Sequence, residues 1–442
     1  MKKKFEEFVL LALDEAKKLG ATQSCAEVSA SNGLSVSVRK GQLETVEQTN
    51  DRSLNITVFK GKSRASASTT VLNPDAVRET VKAAWDIAKY TAEDPFAGLP
   101  DEEDLASSFP DLKLHKSWKL TTPDAVTIAT EVENAAFAYD KAITNSDGAT
   151  LNTTTGEFVL GNSLGFLAGY PYSSHDLSVA VIAGKGDKMQ RDYWYSANRY
   201  PERLASPKAI GEYAAQRTLA RLGARRIPTG KYPVLFEAPL AIGLLGAFTQ
   251  AISGGAIYRR VSFLCDSLGK QIMASHLQIE DDPFIKGAMG SSAFDEEGVR
   301  TQKRTLLHDG VLNGYLLSSY TARKLGMKTT GNAGGSHNLT LSSTLTQPAD
   351  DFEAMLKKMG TGLLVTSLMG QGVNYVTGDY SRGAFGYWVE NGIIQYPVQE
   401  ITIAGNLNEM FQQIIAVGSD AYTRGSKTSG SILIEKMTIA GV

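Results

Sequence analysis

The sequence predicts an α+β fold: an N-terminal α/β part with a small antiparallel sheet and helices, then a larger β-rich C-terminal part. Three observations lead there. The apolar period switches repeatedly between about 3.6 and 2. Strands and helices mix without the regular βαβ alternation of a doubly wound sheet. The 42 glycines far outnumber the 14 prolines and are spread along the chain, as many turns require.

Residues 4–19 place Phe5, Phe8, Val9, Ala12, Ala16 and Leu19 at helical spacing, with Gly20 as a C-terminal cap. Residues 26–70 alternate instead. Leu34, Val36 and Val38 interleave with serines, Leu54, Ile56 and Val58 with polar residues, and Gly41 and Gly61 mark turns. Pro74 opens a helix over 74–91. The acidic stretch 94–111, including Asp101-Glu102-Glu103-Asp104, reads as a solvated loop. Thr122 and Pro123 start a helix ending near Tyr139. Strand-like runs fill 141–195, and Ser206-Pro207 opens a helix that stops at Gly223.

Residues 225–230 read as a linker, dividing the chain into domains 1–224 and 225–442. A strand at 232–236 and a strongly apolar helix at 239–252 follow. Asp309-Gly310, Asn313-Gly314 and Asn391-Gly392 are hairpin dipeptides. Short helices are expected at 319–325, 351–359 and 406–416.

Charge and cysteine content exclude several classes. The 442 residues are 42% hydrophobic and 21% charged, with a formal net charge of -2. Such a balance exerts no overall pull on nucleic acid. Arg217, Arg221, Arg225 and Arg226 cluster in sequence but read as a solvated face. Cys25 and Cys265 match no metal or redox spacing and suit a reducing, cytoplasmic compartment. Met1-Lys2-Lys3-Lys4 resembles the start of a signal peptide, but the apolar stretch after it spans only residues 8–13. No apolar run reaches the 20 or so residues of a membrane span.

No catalytic motif emerges from the residues. No two of His115, His175, His276, His308 and His337 lie within five residues of each other, so a His-Glu-x-x-His helix is absent. Glu280-Asp281-Asp282 and Asp295-Glu296-Glu297 could bind a hard cation but read as solvated charge runs. Gly161-Asn162-Ser163-Leu164-Gly165 has the form of a nucleophile elbow. Gly169 and Pro171 break the helix that such an elbow needs, so a turn is expected. Gly61-Lys62-Ser63 lacks the glycine five positions earlier, where Ile56 stands, that a phosphate loop requires. Tyr193-Trp194-Tyr195 reads as a core or interface strand. Gly331-Asn332-Ala333-Gly334-Gly335-Ser336-His337-Asn338 is the least ordinary segment, and Asn332, His337 and Asn338 are candidate substrate-binding residues.

Several stretches together resemble the TldD/PmbA family. They are Leu219-Ala220-Arg221-Leu222-Gly223-Ala224 running to Thr229-Gly230-Lys231-Tyr232-Pro233-Val234, Arg259-Arg260-Val261-Ser262-Phe263-Leu264, and Asp309-Gly310-Val311-Leu312-Asn313-Gly314-Tyr315-Leu316-Leu317 with Thr330-Gly331-Asn332-Ala333. Gly378-Asp379-Tyr380-Ser381-Arg382-Gly383-Ala384, Glu390-Asn391-Gly392 and Met437-Thr438-Ile439-Ala440-Gly441 complete the set. The order and spacing resemble the PmbA branch, also called TldE. The resemblance implies a cytoplasmic peptidase of two related subunits, which trims peptide precursors and degrades small, poorly folded proteins. In that picture a TldD-type subunit carries a His-Glu-x-x-x-His helix and a cysteine that bind zinc, and the PmbA-type subunit completes the peptide channel. On this chain Leu245, Gly246 and Gln250 stand where His, Glu and His would be, and Ser426, Lys427, Thr428 and Ser429 where the cysteine would be. The expectation is a chain without catalytic residues or zinc of its own, heterodimeric with a TldD-type partner that holds the zinc, with a homodimer possible when alone. Nucleic acid and membrane are not expected partners. The alternatives are an independent hydrolase using Ser163 or His337, and a non-enzymatic regulator or binding protein, toward which the family's older association with DNA gyrase points.

Overall fold

A computed structural model describes residues 2–442. Helix α1 (Lys2–Leu19) is followed by strands β1 (Gln23–Arg39), β2 (Gln42–Lys60) and β3 (Ser63–Thr69), and by α2 (Pro74–Ala88). After a long loop come α3 (Thr122–Tyr139), β4 (Ile143–Asn162), the short β5 (Leu167–Ala168), β6 (Pro171–Ala183), β7 (Gln190–Asn198) and α4 (Pro207–Ala220). The two strand regions expected from the sequence merge into one antiparallel sheet, ordered β3-β2-β1-β4-β6-β7 with β5 beside β4.

Residue parity explains how this sheet is used. The even positions of β1 that are buried, Ala26, Val28, Ala30, Val36 and Val38, lie under the helices. Helices α1 and α2 cover one end of that face, and α3 and α4 the other. The odd positions Cys25, Glu27 and Ser29 point to the opposite face, toward the second half of the chain. The α3 cap is one residue earlier than expected: Thr121 accepts from the Asp124 amide, and Asp124 accepts from Thr121 in return.

The second half starts with β8 (Gly230–Phe236), α5 (Ala238–Ala251), α6 (Gly254–Tyr258), β9 (Leu277–Asp282), β10 (Arg304–His308) and β11 (Val311–Leu312). It continues through α7 (Ser319–Lys324), β12 (Asn338–Ser343), α8 (Phe352–Met359), β13 (Gly362–Met369), β14 (Asp379–Glu390) and β15 (Ile393–Asn406). Last are α9 (Leu407–Gln412), β16 (Ile414–Val417), β17 (Tyr422–Arg424), β18 (Lys427–Ser429) and β19 (Ile432–Ala440). One sheet runs β11-β10-β9-β12-β18-β17. The other runs β15-β14-β13-β8-β19-β16, and a further β15–β19 pairing closes five of its strands into a ring. Helix α5 buries Ala241, Leu244, Leu245, Phe248 and Ala251 in the large core between them.

Several expectations change. Asp309-Gly310 and Asn391-Gly392 make hairpin turns with both residues at positive φ, but Asn313-Gly314 does not. There the chain leaves the sheet, and Gly314 lies against the Arg304 guanidinium, where a Cβ would sit 2.4 Å from Nη2. The helix expected over 406–416 ends at Gln412, and residues 414–417 pair with β19. Arg217 and Arg221 do not form a solvated face. Arg217 makes a paired contact with Glu237 at 3.0 and 3.0 Å, and both arginines reach Asp192 at 3.4 and 3.3 Å. Burial works against the Arg217 cation, but Glu237 and Asp192 outweigh it and raise its pKa. This network ties α4 and β7 to the residue that precedes α5. Of the remaining two, Arg226 pairs with Glu400 on the surface, and Arg225 lies 3.4 Å from the Tyr396 ring centroid.

Candidate functional site

The glycine-rich segment 331–338 runs from buried Gly331 and Asn332 into β12. Positive φ at Gly331, Gly334 and Gly335 shapes it. Beneath it lies Asp281, on the central strand β9, with no solvent exposure. This corrects the reading of Glu280-Asp281-Asp282 as a solvated run, because strand alternation turns the middle carboxylate inward. Asp281 accepts from the His337 amide at 2.7 Å, and its other oxygen lies 3.1 Å from His337 Nδ1 and 3.2 Å from Asn332 Nδ2. Asn332 also donates to the Gly335 carbonyl at 3.0 Å, and its Oδ1 accepts from Arg304 and Thr330, each at 2.8 Å. Asn338 accepts from the Gly290 amide and donates to the Asp282 carbonyl and to Ser291. Both asparagine amides thus hold the segment's own shape. His337, 6% exposed, has Nδ1 engaged, and its Nε2 makes no hydrogen bond among the described residues.

Two clefts share this segment, and Ala333, Gly334, Gly335 and Ser336 line both. The first, about 410 Å³, lies between it and the odd-numbered face of β1. Phe158, Tyr170 and Phe294 give it aromatic walls, and Glu27, Asp295, Glu296 and His337 give it polar ones. Asp295 is also not a solvated residue: burial, with Glu297 adding, pushes its carboxyl up to about 7, although the Ala333, Glu297 and Val299 amides donate to it. Burial raises Glu27 as well, helped by Glu296. Arg199, buried beside this cleft, donates to the carbonyls of Leu114, Ser173, Ala288 and Met289 rather than to an acid.

The second cleft, about 420 Å³, opens on the other side, against the C-terminal turn of α5 and strand β18. It joins two positions far apart in sequence. Gln250 from α5 faces Ser426 and Lys427 there. Leu245, by contrast, points into the core at 2% exposure, and Gly246 has open space where a Cβ would be. The cleft's polar side chains are amides, hydroxyls and one ammonium. Zinc takes thiolate, imidazole or carboxylate ligands, so these residues do not fit that metal.

The remaining sequence candidate stands apart from both clefts. Ser163 sits exposed in a turn after β4, where its Oγ accepts from the Ser24 amide, and Asn162 holds the turn through the Leu164 and Phe166 amides. No hydrogen bond joins it to a histidine among the described residues. Trp194 packs edge-on to Tyr213, with its neighbours Tyr193 and Tyr195 stacked on the other face beside Arg424. The sequence did not reveal Asp281 as the partner of His337, because the two are 56 residues apart, nor the meeting of Gln250 with Lys427.

Comparison with known proteins agrees along the whole length. Family models match residues 26–88 (PmbA/TldA metallopeptidase domain 1), 115–222 (the central domain) and 229–441 (the C-terminal domain). The chain is 48% identical over 440 residues to metalloprotease PmbA of Escherichia coli O157:H7, covering 100% of this chain and 97% of that one. A crystal structure from Bacteroides thetaiotaomicron, described as a candidate modulator of DNA gyrase, superposes with a TM-score of 0.93 at 28% identity, covering 99% of this chain and 98% of that one. TldE from Thermococcus kodakarensis superposes with a TM-score of 0.84 at 21% identity, covering 97% and 99%. With its order of motifs, its three matched domains and a near full-length relative at this identity, the chain belongs to the PmbA/TldD metallopeptidase family.

Proposed function

We propose that this chain is the non-catalytic, PmbA/TldE-type subunit of a cytoplasmic two-subunit zinc peptidase. Its TldD-type partner holds the zinc, and this chain completes the channel for peptides and small unfolded proteins. The observation that carries the reading is the cleft under α5. It brings Gln250, one of the helix positions where the resemblance would place metal ligands, together with Ser426 and Lys427 from the stretch where it would place the cysteine. Co-expression with a TldD-type subunit tests it. The expected result is a heterodimer that cleaves unstructured peptides and holds zinc, while this chain alone does neither. Stoichiometric zinc on the purified chain, or a co-expressed pair without peptidase activity, would overturn it.

A second reading rests on the Asp281–His337 pair, which resembles the oriented base of a hydrolase. Peptide turnover by the chain alone, lost in His337→Ala, would favour it over the first.

A further inference from the structure

We infer that the cleft between α5 and β18 binds a peptide carboxylate. The inference rests on the family reading for the peptide, and on the cleft's own chemistry for the carboxylate. Lys427 is the one charged residue that lines it. Its ammonium makes no salt bridge or hydrogen bond among the described residues, whereas Lys113, Lys62 and Arg199, which line other clefts, are each engaged. The side chains of Gln250, Ser336 and Ser426 converge on the same space and are equally without a partner among the described residues. The backbone N–H groups of Gly334 and Ser336 donate to none of those residues either. The other polar groups around the cleft are committed elsewhere: Thr249 donates to the Gly246 carbonyl, Thr321 and Ser318 cap α7, and Asn332 is spent on Arg304 and Asp281.

What remains is a set of groups that can donate, around a single positive charge. An ionised carboxylate offers only acceptors, about four lone-pair sites, and gains most from charge-assisted bonds. A cationic or neutral ligand would leave Lys427 without a counter-charge. The opposite cleft gathers Glu27, Asp295 and Glu296, and the cation in its wall, Arg199, is spent on backbone carbonyls. The ammonium stands in the stretch where the resemblance would place a ligand cysteine, and it serves recognition rather than hydrolysis.

The carboxylate could be a peptide's C-terminus or an Asp or Glu side chain. Three fluorescent peptides of one sequence separate these sources: one with a free C-terminus, one amidated, and one amidated with an internal Asn replaced by Asp. Binding is read by anisotropy on the full chain, alone and co-expressed with a TldD-type subunit. At least one carboxylate-bearing peptide is expected to bind roughly tenfold or more tighter than the neutral one, and which of them does so names the source. Lys427→Met should erase the difference, Lys427→Arg should keep part of it, and Gln250→Leu, on an exposed helix position, should weaken it without touching the charge. Equal binding of all three peptides, binding of none, or a preference that survives Lys427→Met overturns the inference. Hydrolysis by the co-expressed pair reports separately on the proposed function, so a pair that cleaves all three peptides alike would leave that reading standing.

Discussion

The two clefts on either side of residues 333–336 share a wall and differ in almost everything else. The one facing β1 is aromatic and acidic, with carboxyls that burial pushes upward. The one facing α5 is open, without acids, and carries a single ammonium. The shared wall is anchored from below by Asp281, which satisfies donors on His337 and Asn332. The difference shows how a short glycine-rich segment, held by buried Asp281 at residues 332 and 337 and by buried Asp295 at residue 333, can present two opposite chemistries from one stretch of backbone.

Removing the anchor should break the comparison most severely. Asp281→Ala strands the His337 amide, leaves His337 Nδ1 without its carboxylate, removes one of the bonds of Asn332 Nδ2, and takes away a charge that favours the Arg304 cation. It should cost roughly 3–5 kcal/mol in urea unfolding. An unchanged midpoint would show that the wall stands without Asp281.

The acidic side can be tested by pH. Asp295 has a folded pKa of about 7, against roughly 3.9 for an unfolded aspartate. Its protonated form is favoured in the fold, so its contribution is fully present below about pH 4 and is lost as pH rises through about 7. The loss should be on the order of 4 kcal/mol. Asp295→Asn should flatten that slope while its carbonyl keeps part of the bonding to the three amides. A pH profile that keeps its slope in the variant would place the titration elsewhere.

The smallest effect belongs to the α5 side. Gly246 lies within the helix, half-buried, with nothing within 4 Å of the point where a methyl group would stand. Gly246→Ala should raise the stability of the isolated chain by about 0.5–1 kcal/mol, read as a higher Tm. A loss would mean that the face is already packed.

Much of this fold was legible as periodicity. The helical spacing of Phe5, Phe8, Val9, Ala12 and Ala16 and the alternation of Leu54, Ile56 and Val58 mark faces that are indeed buried, because burial itself sets those periods. The site was legible only where chemistry stays local, as in the glycines and in His337. Asp281 and Asp295 sit in runs of acids that look solvated, and only strand pairing and the 331–338 crossover reveal that they are enclosed. Arg217 and Arg221 misled for the same reason: their counter-charges Asp192 and Glu237 come from a strand and a helix start that helical spacing cannot bring to mind. The meeting of Gln250 and Lys427 spans two elements separated by most of the second half, and no local pattern records it.

The shared wall has a thermodynamic consequence. When a ligand in one cleft orders or shifts residues 333–336, the free energy of that change is felt by whatever occupies the other. Linkage makes the influence mutual, so each occupant alters the other's affinity by the same factor. A carboxylate held beside Lys427 and a group held beside Glu27 would then report on one another through four residues of backbone, with neither touching the other.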